Sequence, residues 1–189
     1  MDQHSIPKLL AGNLLLSAPF LNDENFVRSV ILLCEHEDQG SFGFVINKLS
    51  ILNLGDLVKD LNFLECEVFV GGPVEQNTLH FIYFGSQVLP DSKPLGEEIW
   101  WGGDFAALVH LLKSHQLKVD QVRFFLGYSG WDQGQLQAEL ADDTWVVYSG
   151  ATTSTVFENS PDQIWRQLMK GMGGEYEIQS NYPIDPRLN

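Results

Sequence analysis

The stretch Gly127-Tyr128-Ser129-Gly130-Trp131-Asp132-Gln133-Gly134-Gln135-Leu136, closing at Trp145, constrains the fold more than any other part of the chain. It follows an apolar run, Val122-Arg123-Phe124-Phe125-Leu126, whose continuous hydrophobicity predicts a buried strand. Glycine then marks a turn, and a short helix is expected over 133–140 with Leu136, Leu140 and Ala141 on one side. Asp142-Asp143 end that helix, and 144–148 reads as the next strand. Two of the five tryptophans stand at either end of the helix. Indoles bury so much apolar area that this unit is expected at the centre of the core.

The rest of the chain alternates strand signals with single helices. Apolar runs at 13–16, 27–34 and 42–47 predict three strands, the last two joined as a hairpin across the acidic loop Glu35-His36-Glu37-Asp38-Gln39-Gly40. Asn53 is placed to cap a helix carrying Leu54, Leu57, Val58 and Leu61 on one face. Strands are expected at 67–70 and 79–84, the first stopped by Gly71-Gly72-Pro73. The polar stretch 85–97, with two prolines, reads as a lid or a long hairpin connection. A helix follows from Asp104, with Phe105, Leu108, Val109 and Leu112 forming an amphipathic stripe. The final helix is expected to start at Ser160 as N-cap, with Pro161 and Gln163 in its first turn, and to end at Gly171. Its buried face is Ile164, Trp165, Leu168 and Met169. Residues 1–8 are expected to fray and the tail from Asn181 to be extended. Hairpins mixed with single helices, without repeats or a linker, predict an α+β fold in a single domain spanning 1–189.

Composition narrows the function classes. With 44% hydrophobic residues over 189 positions there is ample material for a core. No segment approaches the ~20 apolar residues of a membrane span, so no membrane partner is expected. The run 9–18 is broken by Asn13 and lacks a small-residue cleavage pattern, which favours a first strand over a signal peptide. Cys34 and Cys66 have no metal-type spacing and sit in apolar runs, as buried inert thiols do; a cytoplasmic location follows as the expectation. Twenty-five acidic against eleven basic residues give a net charge of −14, with no Lys/Arg cluster. Phosphate backbones are held by cationic patches, so direct nucleic-acid binding is not expected.

Several motifs carry a resemblance. Gly127-Tyr-Ser-Gly-Trp131 with Gly134-Gln135-Leu136 and Glu139 resembles the GYxGW…GQLxxE signature of the AlgH/YqgE family. Four further blocks are similar to the same family: 12–19, Phe26-Val-Arg28-Ser-Val30 running to Glu35-His36, Gly43-Phe-Val45-Ile-Asn47, and Gly71-Gly72-Pro73-Val74. The likeness spans about residues 9–170, and the pair Gly102-Gly103 before Asp104 departs from it. It implies a mixed, bifurcated β-sheet folded into a pseudo-barrel with a few helices packed outside. It also implies a bacterial protein of a group without a defined activity, often labelled transcriptional regulators.

Ser129 is the most tempting reactive residue, because Gly127-x-Ser129 resembles the first half of a G-x-S-x-G elbow. The elbow needs a small residue two places on, where Trp131 stands, and no histidine follows His115 as hydrolase order requires. The family often carries alanine here, and the opposing reading is a serine bonding free amides as an N-cap. The same turn lacks the lysine of a phosphate loop, and Asp132 would repel an anion. Glu35, His36, Glu37 and Asp38 offer metal-ligand chemistry, but loop neighbours rarely converge without distant partners, and His110 and His115 stand five apart rather than four. No metal or other cofactor is expected. His36 either braces the hairpin through a backbone carbonyl or faces a cleft. Arg28, inside an apolar strand, needs a carboxylate, and Glu139 or Glu35 are the candidates. A pocket is therefore expected near Arg28, His36, Asn47, Gly71, Gly72, Pro73, Ser129, Trp131, Gln135 and Glu139.

These residues favour a cytosolic, non-enzymatic binding or regulatory protein acting through a protein partner or a small ligand, neither of which the sequence identifies. The alternative is an enzyme, such as a hydrolase, with a cleft near Ser129, His36 and Glu139.

Overall fold

A computed structural model describes residues 8–184. In chain order the strands are β1 (Leu14–Ser17), β2 (Val30–Glu37), β3 (Gly40–Val45), β4 (Leu49–Asn53), β5 (Glu67–Val70), β6 (Val74–Phe84), β7 (Lys93–Gly96), β8 (Ile99–Trp101), β9 (Val122–Asp132) and β10 (Trp145–Tyr148). The helices are α1 (Leu54–Leu57), α2 (Phe105–Lys113), α3 (Gln135–Ala141), α4 (Thr153–Phe157), α5 (Ile164–Met172) and α6 (Gly174–Gln179). Residues 1–7 and 185–189, most of the ends expected to be frayed (1–8) and extended (from Asn181), lie outside the described span. The tail begins in a turn, with Asn181 N–H bonding the Ile178 carbonyl and Tyr182 N–H that of Gln179, each at 3.1 Å.

The sheet forks at β9. One edge of β9 is taken by β6, antiparallel, with Phe81 opposite Phe124. The other edge is divided. Its first half pairs in parallel with β5, Val68 opposite Phe124, and its second half pairs antiparallel with β3, Gly43 opposite Ser129. The order β10-β1-β2-β3-β9-β6-β8-β7 with β5 and β4 branching off makes the sheet mixed and bifurcated, as expected. β10 and β7 end the path without meeting, so the pseudo-barrel is open.

The glycine-rich stretch therefore differs from its expected form. Gly127-Tyr128-Ser129-Gly130 is not a turn but the middle of β9, and the chain turns only at Gly134 (φ +76) before α3 starts at Gln135. Gly127 adopts φ +67 where β9 passes from one edge partner to the next. A Cβ there would meet the Val74 carbonyl oxygen at 2.6 Å, so glycine serves both the bend and the close approach.

Strands β1 and β2 are buried on both faces, which divides the core into layers. Leu14, Leu16, Val30 and Leu32 pack with Phe44, Phe125 and the inner face of α5, where Ile164, Trp165, Leu168 and Met169 are buried as expected. Leu15, Ile31, Leu33 and Val45 face the other way onto Trp131, Trp145 and α3. The two tryptophans thus anchor a lateral layer, and the centre belongs to the stacked Phe44–Phe125 pair, 4.8 Å apart. A third layer lies under α2, whose Leu108 and Leu112 point inward and whose N-cap Asp104 accepts from Ala107 N–H at 2.7 Å.

Three local expectations shift. The apolar face of 54–61 does not form one helix: Val58 turns extended (φ −127, ψ 100), so α1 is followed by a 3-10 turn; Leu54 and Leu61 are fully buried, Val58 packs against them half-buried, and Leu57 is exposed. A β-branched residue and Gly55 in so short a segment give the helix little intrinsic support. The 85–97 connection carries β7, and the Tyr83 hydroxyl fastens it by accepting from Leu89 N–H and bonding Ser92, each at 2.8 Å. At α5 it is the Ser160 carbonyl that accepts from Ile164 N–H (3.0 Å), without a side-chain cap, and the helix runs past Gly171 to end at Gly173 (φ +70).

Candidate functional site

The residues singled out from the sequence do not gather in one place. Arg28 is not in a strand; it occupies the turn before β2 with φ +52, and among the described residues no carboxylate pairs with it. Its guanidinium lies 3.9 Å over the Trp165 ring and donates to the Tyr182 carbonyl. Glu35 instead pairs with Lys93. Asn47 braces the same turn, accepting from Val30 N–H at 2.8 Å and donating to the Arg28 carbonyl at 2.9 Å. The buried arginine is Arg123, in the run expected to form a buried strand. Among the described residues it too forms no ion pair, and Glu67 acts on it only through its charge. Its guanidinium donates to the carbonyls of Ile46 (3.0 Å) and Phe157 (3.2 Å) and lies 4.8 Å from the Phe69 ring centre. Burial pushes its pKa down to about 10.

Ser129 is fully buried and donates to the Gly71 carbonyl at 3.1 Å, bracing the two backbones at the fork. It caps no helix. Gly71 and Gly72 press against the backbone of β9, while Pro73 is exposed. Glu139 is held in a clamp: one oxygen accepts from the indoles of Trp131 (2.8 Å) and Trp145 (2.7 Å), and the other accepts from the Gln135 amide at 2.9 Å. His36 bonds the Ser41 hydroxyl through Nδ1 at 2.7 Å and faces a small hollow of about 450 Å³ with Asp38 and Gln137. Ser129, His36 and Glu139 are each engaged with a different partner, so no nucleophile–base–acid relay is assembled. Among the described residues no group of three or more His, Cys, Asp or Glu side chains is placed to hold a metal ion. Burial raises the pKa of both free thiols, Cys34 well above its ordinary value and Cys66 to about 11, which keeps them protonated and unreactive.

The larger opening is a cleft of about 700 Å³ between the β2–β3 hairpin, β6, β8 and the second half of β9. Only Trp131 and Gln135 of the expected pocket residues reach it. Its walls are aromatic: Phe42 from β3, His80 from β6, Trp101 from β8 and Tyr128 from β9. Phe42 meets Trp101 and Tyr128 edge to face, at 4.8 and 5.9 Å, and His80 meets Tyr128 at 5.9 Å. The rim carries Glu35, Glu37 and Asp132. Two wall nitrogens, His80 Nε2 and Trp101 Nε1, are buried without a hydrogen-bond partner among the described residues. Phe42 and His80 read as ordinary strand residues in their own segments, while Tyr128 falls in the expected turn and Trp101 in no expected element. Only cross-strand register brings them together, and no local pattern carries that information.

Desolvation lowers the His80 pKa below its ordinary 6.5, against a smaller opposing pull from Glu75. A titration of its ring by NMR is expected to place the pKa below 6.5. Between that value and 6.5 the unfolded chain binds a proton that the folded chain refuses, so acidification through this window costs stability. Replacing His80 with Gln is expected to flatten that part of the pH–stability curve. An unchanged slope, or a pKa above 6.5, would show the ring to be solvated.

Comparison with known proteins places this geometry among relatives. A sequence profile described as AlgH-like matches residues 14–177. A UPF0301 protein of Cytophaga hutchinsonii is 42% identical over 182 residues, covering 96% of this chain and 100% of that one. Another, from Parabacteroides distasonis, is 38% identical over 183 residues, covering 95% and 91%. Among solved structures, a Corynebacterium diphtheriae protein superposes with a TM-score of 0.79 at 23% identity, covering 93% of each chain. The solution structure of the AlgH protein from Pseudomonas aeruginosa gives 0.73 at 26% identity, covering 97% and 98%.

Proposed function

The chain belongs to the AlgH-like family, and for this member we propose a non-catalytic binding function, with a small ligand seated in the aromatic cleft between β3, β6, β8 and β9. The observation that carries this reading is the cleft itself, about 700 Å³, walled by four rings that come from four strands, Phe42, His80, Trp101 and Tyr128. Rings gathered around one opening give a small molecule apolar faces and edges to pack against. Cleft size and lining, mostly apolar with a few polar groups, suit a small organic molecule. The separate engagements of Ser129, His36 and Glu139 favour binding over catalysis. Any regulatory role then runs through ligand or protein contact and not through DNA, because a chain of net charge −14 is repelled by phosphate backbones. Two free cysteines with protonated thiols suit a reducing compartment such as the cytoplasm.

Native mass spectrometry of protein purified from its own cells tests the reading. A retained mass is expected, and Trp101→Leu, which removes a ring from the wall, is expected to release it. No bound mass together with no thermal shift across a small-molecule library would overturn the proposal. So would retention unaffected by Trp101→Leu and His80→Leu together.

A further inference from the structure

We infer that the cleft selects an organic cation, a guanidinium or alkylammonium head on an apolar arm. This rests on the cleft being a binding site, as proposed above, and assigns the chemistry of what it holds.

Three independent features converge on that class. The lining carries three carboxylates, Glu35, Glu37 and Asp132, and no lysine or arginine. The one histidine in the wall, His80, is held toward its neutral form by desolvation, so it adds no opposing charge near neutral pH. The electrostatic field of the opening is therefore negative, which attracts a cation and repels an anion. The second feature is the ring geometry. Phe42 stands at 80° to Trp101 and 78° to Tyr128, and all three rings border the opening. Such rings attract a cation placed over a face, and a planar guanidinium also stacks. The third feature is that the chain already supplies a cation to this wall. Lys93 Nζ lies 5.5 Å from the Trp101 ring centre and pairs with Glu35 on the rim. Its side chain is 57% exposed, so it rests on the mouth without filling the cleft. An incoming cation competes with Lys93 for both Trp101 and Glu35, and Lys93 sets a threshold that weak cations do not pass.

An amide-capped arginine carries a guanidinium head on an apolar arm, so one molecule offers a charge to the carboxylates and methylenes to the ring walls.

The test uses three probes on the full chain at low ionic strength: N-acetyl-arginine amide, its uncharged isostere N-acetyl-citrulline amide, and N-acetyl-glutamate amide. Binding is read from the NMR shifts of the Trp101 indole N–H and the His80 ring. The arginine probe is expected to bind about tenfold more tightly than the citrulline one. Lys93→Gln is expected to tighten the arginine probe several-fold by vacating Trp101 and Glu35. The exposed pair Glu37→Gln and Asp132→Asn, which leaves the core untouched, is expected to weaken it several-fold. Equal affinity for citrulline, or preference for glutamate, would overturn the charge assignment while leaving the cleft a binding site. Silence of the Trp101 indole toward all three probes, in both the parent chain and Lys93→Gln, would overturn it as well. A ligand seen by native mass spectrometry but carrying no cationic group would do the same without touching the binding function.

Discussion

Replacing Glu139 with alanine is expected to lower the free energy of unfolding by about 3 kcal/mol, a fall of roughly 6–12 °C in Tm for a chain of this size. One carboxylate oxygen receives both indole N–H groups, at 2.8 and 2.7 Å, and the two rings meet edge to face at 5.9 Å. Trp131 and Trp145 are 6% and 5% exposed, so neither N–H gains a full water contact when the acceptor goes. Removing it strands two donors at once, and an unsatisfied buried donor costs more than an average hydrogen bond contributes. Glu139→Gln separates the acceptor from the charge. Its amide oxygen can still take both indoles, so about 1 kcal/mol is expected, from loss of the charge-assisted component. Urea unfolding of the two variants decides the matter. If alanine behaved like a surface substitution, within about 0.5 kcal/mol of the parent, the clamp would be energetically idle.

Gly72→Ala is expected to be more damaging still, on the order of 4 kcal/mol or a failure to fold. A Cβ at Gly72 would lie 2.2 Å from the Tyr128 carbonyl carbon, 2.3 Å from its oxygen and 2.4 Å from the Ser129 nitrogen. All three are backbone atoms of β9 at the fork, so no side chain can swing aside. Gly134→Ala is the control. Gly134 has φ +76 but nothing within 4 Å of its Cβ position, so that change carries only the left-handed backbone penalty of about 1–2 kcal/mol. The contrast distinguishes contact from conformation. Near-parent stability of Gly72→Ala would mean that the two backbones can part freely, and the tight apposition at the fork would lose its structural importance.

Much of the secondary structure was legible because burial imposes local patterns. The strand 67–70 matches β5 residue for residue, and the capped stripe from Asp104 matches α2. The four buried positions of the last helix were readable at helical spacing even though its ends were not. The misreadings share a cause. Gly127 and Gly130 look like turn residues, since glycine permits turns. Here glycine is required because backbones touch, Gly71 against the Gly127 carbonyl and Gly127 against that of Val74. Arg28 was expected inside an apolar strand beside a carboxylate, and Arg123 was given no role of its own, for a similar reason. Local hydrophobicity cannot say that Arg123 would find the Ile46 and Phe157 carbonyls or that Arg28 would lie flat on Trp165.

From its residues alone, then, this chain specifies an acidic α+β molecule, because side-chain period, caps and charge act within a few positions of one another. The cleft is a product of assembly. Phe42, His80, Trp101 and Tyr128 come from four strands and meet only once β9 has chosen β3 and β6 as neighbours in a particular register. A slip of one residue in either pairing would turn those rings to the opposite face, and such long-range pairing is settled by packing the whole sheet at once.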